Sequence, residues 1–210
     1  VSDPTVQAAY TQWAATYDTD RNLTRDLDQS ATRALLAGRR ARSALELGCG
    51  TGKNTALLAQ IAGRVQALDF SEGMLAQARA KVQAPNVTFT AADLTRPWPC
   101  ADGSVDLAVG NLVLEHIADL GPVFAEAARA LEPGGTLLLS ELHPFKQYLG
   151  SKAVFQNGQE RVELTAFVHH ISDFLGAAAE AGLRLVDLKE WWHAEDQQAP
   201  PRLLTLLFVK

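Results

Sequence analysis

A chain of 210 residues is long enough for one domain with a proper apolar core and short for two. Its hydrophobic share of 47% and charged share of 20% are ordinary for a soluble globular protein. The formal charge of −5 argues against nucleic acid and anionic membrane as partners, since both call for a basic face.

The N-terminal stretch AAYTQWAATYD sets Tyr10, Trp13, Ala14 and Tyr17 at i, i+3, i+4 and i+7, which predicts one helix face and a helix over about 4–35. Arg39, Arg40 and Arg42 form a small basic cluster of the kind that suits a helix C-terminus. Strand-length apolar runs follow at 43–47, 65–69, 87–91, 105–111, 136–142, 185–189 and 203–209. Helical patterns lie between them at 54–61, 71–82, 120–131 and 172–181, with Ser71 as an N-cap and Gly182 where a helix C-terminus leaves a glycine. This alternation predicts an α/β fold, a parallel sheet with helices on both faces. No long helix separates the last two runs, so the final strand is expected to be antiparallel. Residues 143–168 read as an excursion from the sheet. The whole chain, 1–210, is expected to be one domain in which the N-terminal helix and this excursion cover the strand ends, where open α/β sheets bind ligands.

Between the first strand and the first sheet helix stands LELGCGTGKNT, with glycines at 48, 50 and 52. A phosphate-binding Walker loop needs GxxxxGK and then Ser or Thr. Counted from Gly48, the Gly52-Lys53 pair comes one residue early, and Asn54 stands where the magnesium-binding hydroxyl belongs. A dinucleotide fingerprint needs GxGxxG, and the third glycine is misplaced for it. The third reading is S-adenosylmethionine: Glu46 precedes the glycines, and Asp69 closes the next strand as a bidentate acceptor for two ribose hydroxyls. Glycines let such a cofactor lie against bare backbone, and Glu46 suits its cationic character.

The motifs ELGCGTG, LDFSEGML, AADL, GNLVLEHI and LEPGGTLLLSE then follow in order, and in this the chain resembles the class I S-adenosylmethionine-dependent methyltransferases. The resemblance is firm over about 43–142, and YTQWAATYD is similar to the lead-in helix of small-molecule members. It implies a Rossmann-like, seven-stranded, mostly parallel sheet with the last strand antiparallel. Carried over by position, Asp69 is the ribose acid, Phe70 and Met74 flank the adenine, and Asp93 with Leu94 meets its amino edge. Gly48, Gly50 and Asn111 line the methionine end through backbone groups. The cofactor-contacting set so implied is completed by Trp13, Tyr17, Glu46, Cys49, Asn54, Ser71, Ala92 and Leu112.

Acceptor classes can be narrowed. Amino-methylating enzymes of DNA bases or glutamine carry an Asn/Asp-Pro-Pro-aromatic motif after the fourth strand, and here that place reads Asn111-Leu112-Val113-Leu114. Pro99-Cys100 precedes the fourth strand in a turn, unlike the nucleophile of cytosine C5 enzymes. A small-molecule acceptor is therefore expected, with transfer to O, N or C open. His116 is the first candidate for a general base, since imidazole titrates near neutrality, and His143 the second. The pair His169-His170 reaches the same mouth or caps a helix. No HxH or HxxxH spacing supports a metal. Trp13, Tyr17, Phe145, Tyr148 and Phe155 are candidates for an apolar lid. Two unpaired cysteines, no signal-like N-terminus and no apolar run of about 20 residues predict a cytoplasmic protein without a membrane span. A non-catalytic cofactor-binding protein and a NAD-type oxidoreductase stand as alternatives, and the oligomeric state is open.

Overall fold

The computed structural model describes residues 4–151, 154–157, 160–197 and 199–210, with the side chains of 4, 5, 154–157 and 160–163 outside that description. Two helices, α1 (Pro4–Trp13) and α2 (Leu23–Leu35), precede the sheet. The sheet strands are β1 (Ala41–Leu47), β2 (Ala62–Asp69), β3 (Val87–Ala91), β4 (Val105–Asn111) and β5 (Leu131–Leu142). Helices α3 (Thr55–Ile61), α4 (Glu72–Lys81) and α5 (Gly121–Ala130) join them. After β5 come α6 (Pro144–Tyr148), the strand pair β6 (Val154–Asn157) and β7 (Glu160–Glu163), α7 (Ile171–Glu180), β8 (Arg184–Trp191) and β9 (Leu203–Val209).

The central strands read as continuous apolar runs because both of their faces are covered: Ala44, Leu45 and Leu47 of β1 and Ala108 and Val109 of β4 have no accessible surface. The seven-stranded sheet has the order β3-β2-β1-β4-β5-β9-β8. Its first five strands are parallel, while β9 runs antiparallel between β5 and β8, as expected. One face packs on α5 and α7 through Phe124, Ala127, Phe174 and Ala178, and Phe124 meets Phe208 edge to face at 5.7 Å. The other face packs Leu36, Leu58 and Ile61 against Val65, Leu107 and Leu138. Strand order reverses between β1 and β4, so the crevice at the carboxyl ends of β1, β2 and β4 is the ligand position for such a sheet.

Two segments depart from expectation. The single helix over about 4–35 is two helices, broken at 14–22. Asn22 adopts extended backbone, and its side chain accepts from the amides of Thr24 and Arg25, capping α2. Asp20 accepts from Trp13 Nε1 at 2.8 Å, and the Arg25 guanidinium donates to the carbonyls of Tyr17 and Asp20 while lying 4.1 Å over the Tyr17 ring. The aromatic periodicity continues across the break, which is why it reads as one helix. The excursion at 143–168 folds into α6 and the separate β6-β7 pair. Its last residues reach the N-terminal segment, with Leu164 buried against Ala9 and Trp13. Gly158 and the side chain of Phe155 lie outside the described residues. Among the described residues, no helix is long and apolar enough to cross a membrane.

Candidate functional site

The loop after β1 turns on three glycines in left-handed backbone, with φ of +68° at Gly48, +52° at Gly50 and +81° at Gly52. Asp69, at the end of β2, organises it. One carboxylate oxygen accepts from the Gly50 amide at 2.8 Å and the other from the Ser71 amide at 2.9 Å. Each oxygen keeps a second lone pair for a ligand. Burial raises the Asp69 carboxyl from 3.8 to about 6, against the lowering effect of those amides.

The glycines differ in what a side chain would meet. A Cβ at Gly48 would lie 2.5 Å from Val113 Cγ2, whereas at Gly50 it would stand in open space beside the cleft. Gly48→Ala is thus expected to lower stability by about 2–4 kcal/mol, from overpacking and left-handed strain together. Gly50→Ala should cost only about 1–2 kcal/mol from the backbone. Chemical denaturation of the two variants checks the order, and equal losses would contradict the contact at Val113.

The crevice is a cleft with about 710 Å³ of empty volume, counting the part open to solvent. Tyr17, Gly48, Gly50, Asp69, Phe70, Met74, Ala92, Asp93, Leu94, Asn111, Leu112 and His116 all line it. The sequence reading named each of these, and they come from five separate stretches of chain. It missed Val6, Tyr10, Val113 and Ile117. Tyr10 carried a signal, its place on the aromatic face of the N-terminal helix. Leu112 sits at φ +51°, a strained backbone for leucine at the point where the chain leaves β4.

The other expected residues support the wall from behind. Trp13 is buried, stacks on Tyr10 at 5.9 Å and lines a neighbouring cavity. Glu46 lies buried beneath the loop and accepts from Thr55 Oγ1 at 2.5 Å, with burial raising its carboxyl to about 8. Cys49 points into a small core with Ala67 and Leu75. Asn54 precedes α3 but makes no capping bond; it donates to Asp28 at 3.2 Å. Ser71 caps α4 through the Met74 amide and also meets Thr11 Oγ1 at 3.0 Å, tying α1 to α4.

His116 stands on the cleft wall at the end of a short 3-10 turn, Leu114–His116. Its Nδ1 faces the Thr165 carbonyl at 2.9 Å and therefore carries the proton in the neutral ring. Its Nε2 then accepts the Tyr10 hydroxyl at 2.8 Å. Burial lowers the imidazole pKa and raises that of the phenol well above 10.0, so both are neutral at pH 7. Glu115 Oε1 lies 3.8 Å from the same Nε2, and burial lifts its carboxyl to about 7.

His143 is placed elsewhere. It is 1% exposed, its Nδ1 accepts from the Phe145 amide at 3.1 Å, and its Nε2 donates to Glu190 at 2.9 Å. Neither nitrogen keeps a free lone pair, and it lies off the cleft wall. His169 is buried and donates to the carbonyls of Leu114 and Ile117, while His170 caps α7. Phe145 and Tyr148, expected in the lid, are 50% and 53% exposed and contact His143 and His170 rather than the cleft.

The chemistry of this cleft fits S-adenosylmethionine. Bare backbone at Gly50 borders it, Phe70, Met74 and Leu94 give a flat group apolar walls, and Asp69 offers two oxygens to a diol. Asn111 turns its side chain to Asp28 and Thr32, both at 2.8 Å, and its buried Oδ1 has no partner among the described residues. Asp28, Glu46, Asp69, Glu115 and Glu141 are buried carboxyls, all with pKa values raised by burial. Of these Asp69 alone lines the cleft, and at about 6 it is ionised at pH 7, where it favours a ligand with positive charge.

Comparison with known proteins agrees. A family model described as a methyltransferase domain matches residues 45–139. A methyltransferase of Emericella nidulans is 29% identical over 238 residues, covering 95% of this chain and 82% of that protein. The demethylmenaquinone methyltransferase of Beutenbergia cavernae is 33% identical over 172 residues, covering 73% of this chain and 70% of that protein. The chain spans less than half the length of several other curated relatives. Among solved structures, an S-adenosylmethionine-dependent methyltransferase of Mesorhizobium loti superposes with a TM-score of 0.73 over 90% of this chain and 100% of that one. At 23% identity, that is a likeness of fold.

Proposed function

The chain belongs to the class I S-adenosylmethionine-dependent methyltransferases, and on that premise we propose that it methylates a small molecule, with Tyr10 and His116 taking up the acceptor's proton. It is an enzyme with S-adenosylmethionine as cofactor, which sets aside the alternatives of a non-catalytic binder and a NAD-type oxidoreductase. When bound, the cofactor supplies a methyl group already activated on a sulfonium.

The residues named from sequence then divide by position. Asp69, Gly48 and Gly50 hold the ribose and methionine parts, and Phe70, Met74, Ala92, Asp93 and Leu94 enclose the base. Glu46, Cys49, Asn54 and Ser71 act from behind the wall by fixing the loop and α4. Transfer to oxygen, nitrogen or an acidic carbon leaves one proton to remove. The Tyr10 oxygen takes it from the acceptor as its own proton passes to His116 Nε2, and the imidazolium so formed faces Glu115. The observation that carries this reading is the 2.8 Å bond between Tyr10 and His116 on the wall of the cleft.

Support for a small acceptor comes from the way α1 roofs the cleft with Val6 and Tyr10, from the net negative charge, and from the small-molecule acceptor in the name of the Beutenbergia relative. The unpaired thiols Cys49 and Cys100 support a reducing, cytoplasmic compartment. Incubation of the protein with methyl-labelled S-adenosylmethionine and separated cell fractions tests the acceptor class. Label is expected in metabolites of low mass; label confined to protein or nucleic acid would overturn the reading.

A further inference from the structure

A second cavity, with about 1030 Å³ of empty volume counting its open part, adjoins the cofactor cleft, and Tyr10, Tyr17 and Leu112 belong to both walls. The rest of its lining has a different character. Lys146 from α6, Arg202 just before β9 and Arg25 from α2 bring three cations to it, and Glu115 also lines it. We propose that this cavity is the acceptor site and that it takes a small molecule bearing a carboxylate, held at Lys146, with its nucleophile toward Tyr10. The proposal rests on the methyl-transfer reading above and names the substrate class for it.

Two of the cations already have structural work. Arg25 donates to the carbonyls of Tyr17 and Asp20, and Arg202 forms an ion pair with Asp196 and reaches Thr24 at 3.2 Å. Lys146 differs. Among the described residues its ammonium has one ion-pair partner, Asp196 at 3.6 Å, longer than a hydrogen bond. Asp196 is meanwhile held by Arg202 and by the His193 amide at 2.8 Å. Lys146 side-chain exposure is only 15%, so its hydrogen-bonding capacity is directed to a confined space rather than to bulk water.

The same cavity has a complementary need. Glu115 is 8% exposed, and its Oε2 is buried with no hydrogen-bond partner among the described residues. An acceptor with a hydroxyl or amine as well as a carboxylate answers both groups. With Asp196 offsetting one cation and Glu115 lining the same cavity, a singly charged carboxylate matches the site better than a phosphate dianion. The shared residues Tyr10 and Leu112 put the junction of the two cavities beside the Tyr10-His116 pair, where the proton has to leave.

The test uses the full chain saturated with S-adenosylhomocysteine. Glycolate, lactate, glycine, malonate and benzoate are titrated by calorimetry, each beside its primary amide, with inorganic phosphate as a further probe. At least one acid is expected to bind while its amide does not. Lys146→Met should weaken that acid about tenfold or more, the loss of one charge-assisted bond, with S-adenosylhomocysteine affinity unchanged. Lys146→Arg should restore most of it. Binding of amides as well as acids, binding of phosphate with the acids excluded, an unaffected Lys146→Met variant, or no acid bound at all would each overturn the carboxylate site. Failure of S-adenosylhomocysteine itself to bind would instead remove the cofactor reading. The acids titrated onto the ligand-free protein would then still decide the second cavity.

Discussion

Replacing Asp69 by asparagine is expected to weaken S-adenosylhomocysteine binding about tenfold to a hundredfold and to leave the ligand-free protein at least as stable at pH 7. The two effects have opposite signs for one reason. The ionised carboxylate is the form that accepts from a diol while also holding the Gly50 and Ser71 amides, and charge-assisted bonds of this kind contribute about 1.5–3 kcal/mol each. The same carboxylate is 6% exposed, and its pKa of about 6 against 3.8 says that burying the charge costs more than the amides return. That rise corresponds to a penalty on the order of 3 kcal/mol. For a carboxyl whose folded pKa is raised, the native state binds more protons between the two values. The penalty is absent below pH 3.8, grows as pH rises to about 6 and stays constant above it. Asparagine imitates the protonated form and removes the penalty. Calorimetric titration and denaturant melts of the wild type and Asp69→Asn at pH 7 measure both effects, and the wild type should also bind more weakly below pH 6. An unchanged affinity would refute the ribose assignment. A large loss of ligand-free stability would mean that the two backbone amides outweigh the buried charge.

The balance at Asp69 marks what sequence can and cannot disclose. The strands were legible because Leu45, Leu47, Val109 and their neighbours form runs too apolar for any place but the middle of a sheet. The glycine loop was legible because left-handed backbone at three alternating positions selects glycine almost alone, so the loop's shape is written in its letters. Leu112 has the same kind of backbone at φ +51°, yet leucine carries no such preference and gave no sign. The break between α1 and α2 had its signals in Asp18, Asp20 and the Asn22 cap, and they were masked by an aromatic spacing that stays in phase across the turn. The hydrogen-bond partners of His116 and His143 depend on contacts 106 and 47 residues away. No local pattern encodes those separations, and so two histidines that looked alike at the ends of neighbouring strands turn out to have different surroundings. The second cavity is the extreme case, since its three cations come from α2, α6 and the residue just before β9 and meet only through the fold.

The Tyr10-His116 pair leads to the other large effect. Tyr10→Phe and His116→Ala are each expected to lower the rate of methyl transfer by about 10²–10⁴-fold with cofactor affinity nearly unchanged, the range for a positioned acid–base group. The double variant should be scarcely slower than either single one, because the two side chains form one relay and removing either end disables it. pH separates this role from simple packing. His116 serves only while its Nε2 is unprotonated, and burial holds its pKa below the ordinary 6.5. The wild-type rate at saturating cofactor should therefore decline partly near pH 7, as Glu115 takes a proton, and fall further on the acid side as the imidazole takes one. Glu115 titrates nearby, at about 7, and Tyr10 does not ionise in this range. Glu115→Gln should thus keep the acid fall while losing part of the rate, whereas His116→Ala should abolish the fall. Asp69 also gains a proton near pH 6, but that loss belongs to cofactor affinity and disappears at saturation. If His116→Ala turns over normally, or if its acid limb matches the wild type, the imidazole only supports the wall, and Tyr10 must lose its proton by another route.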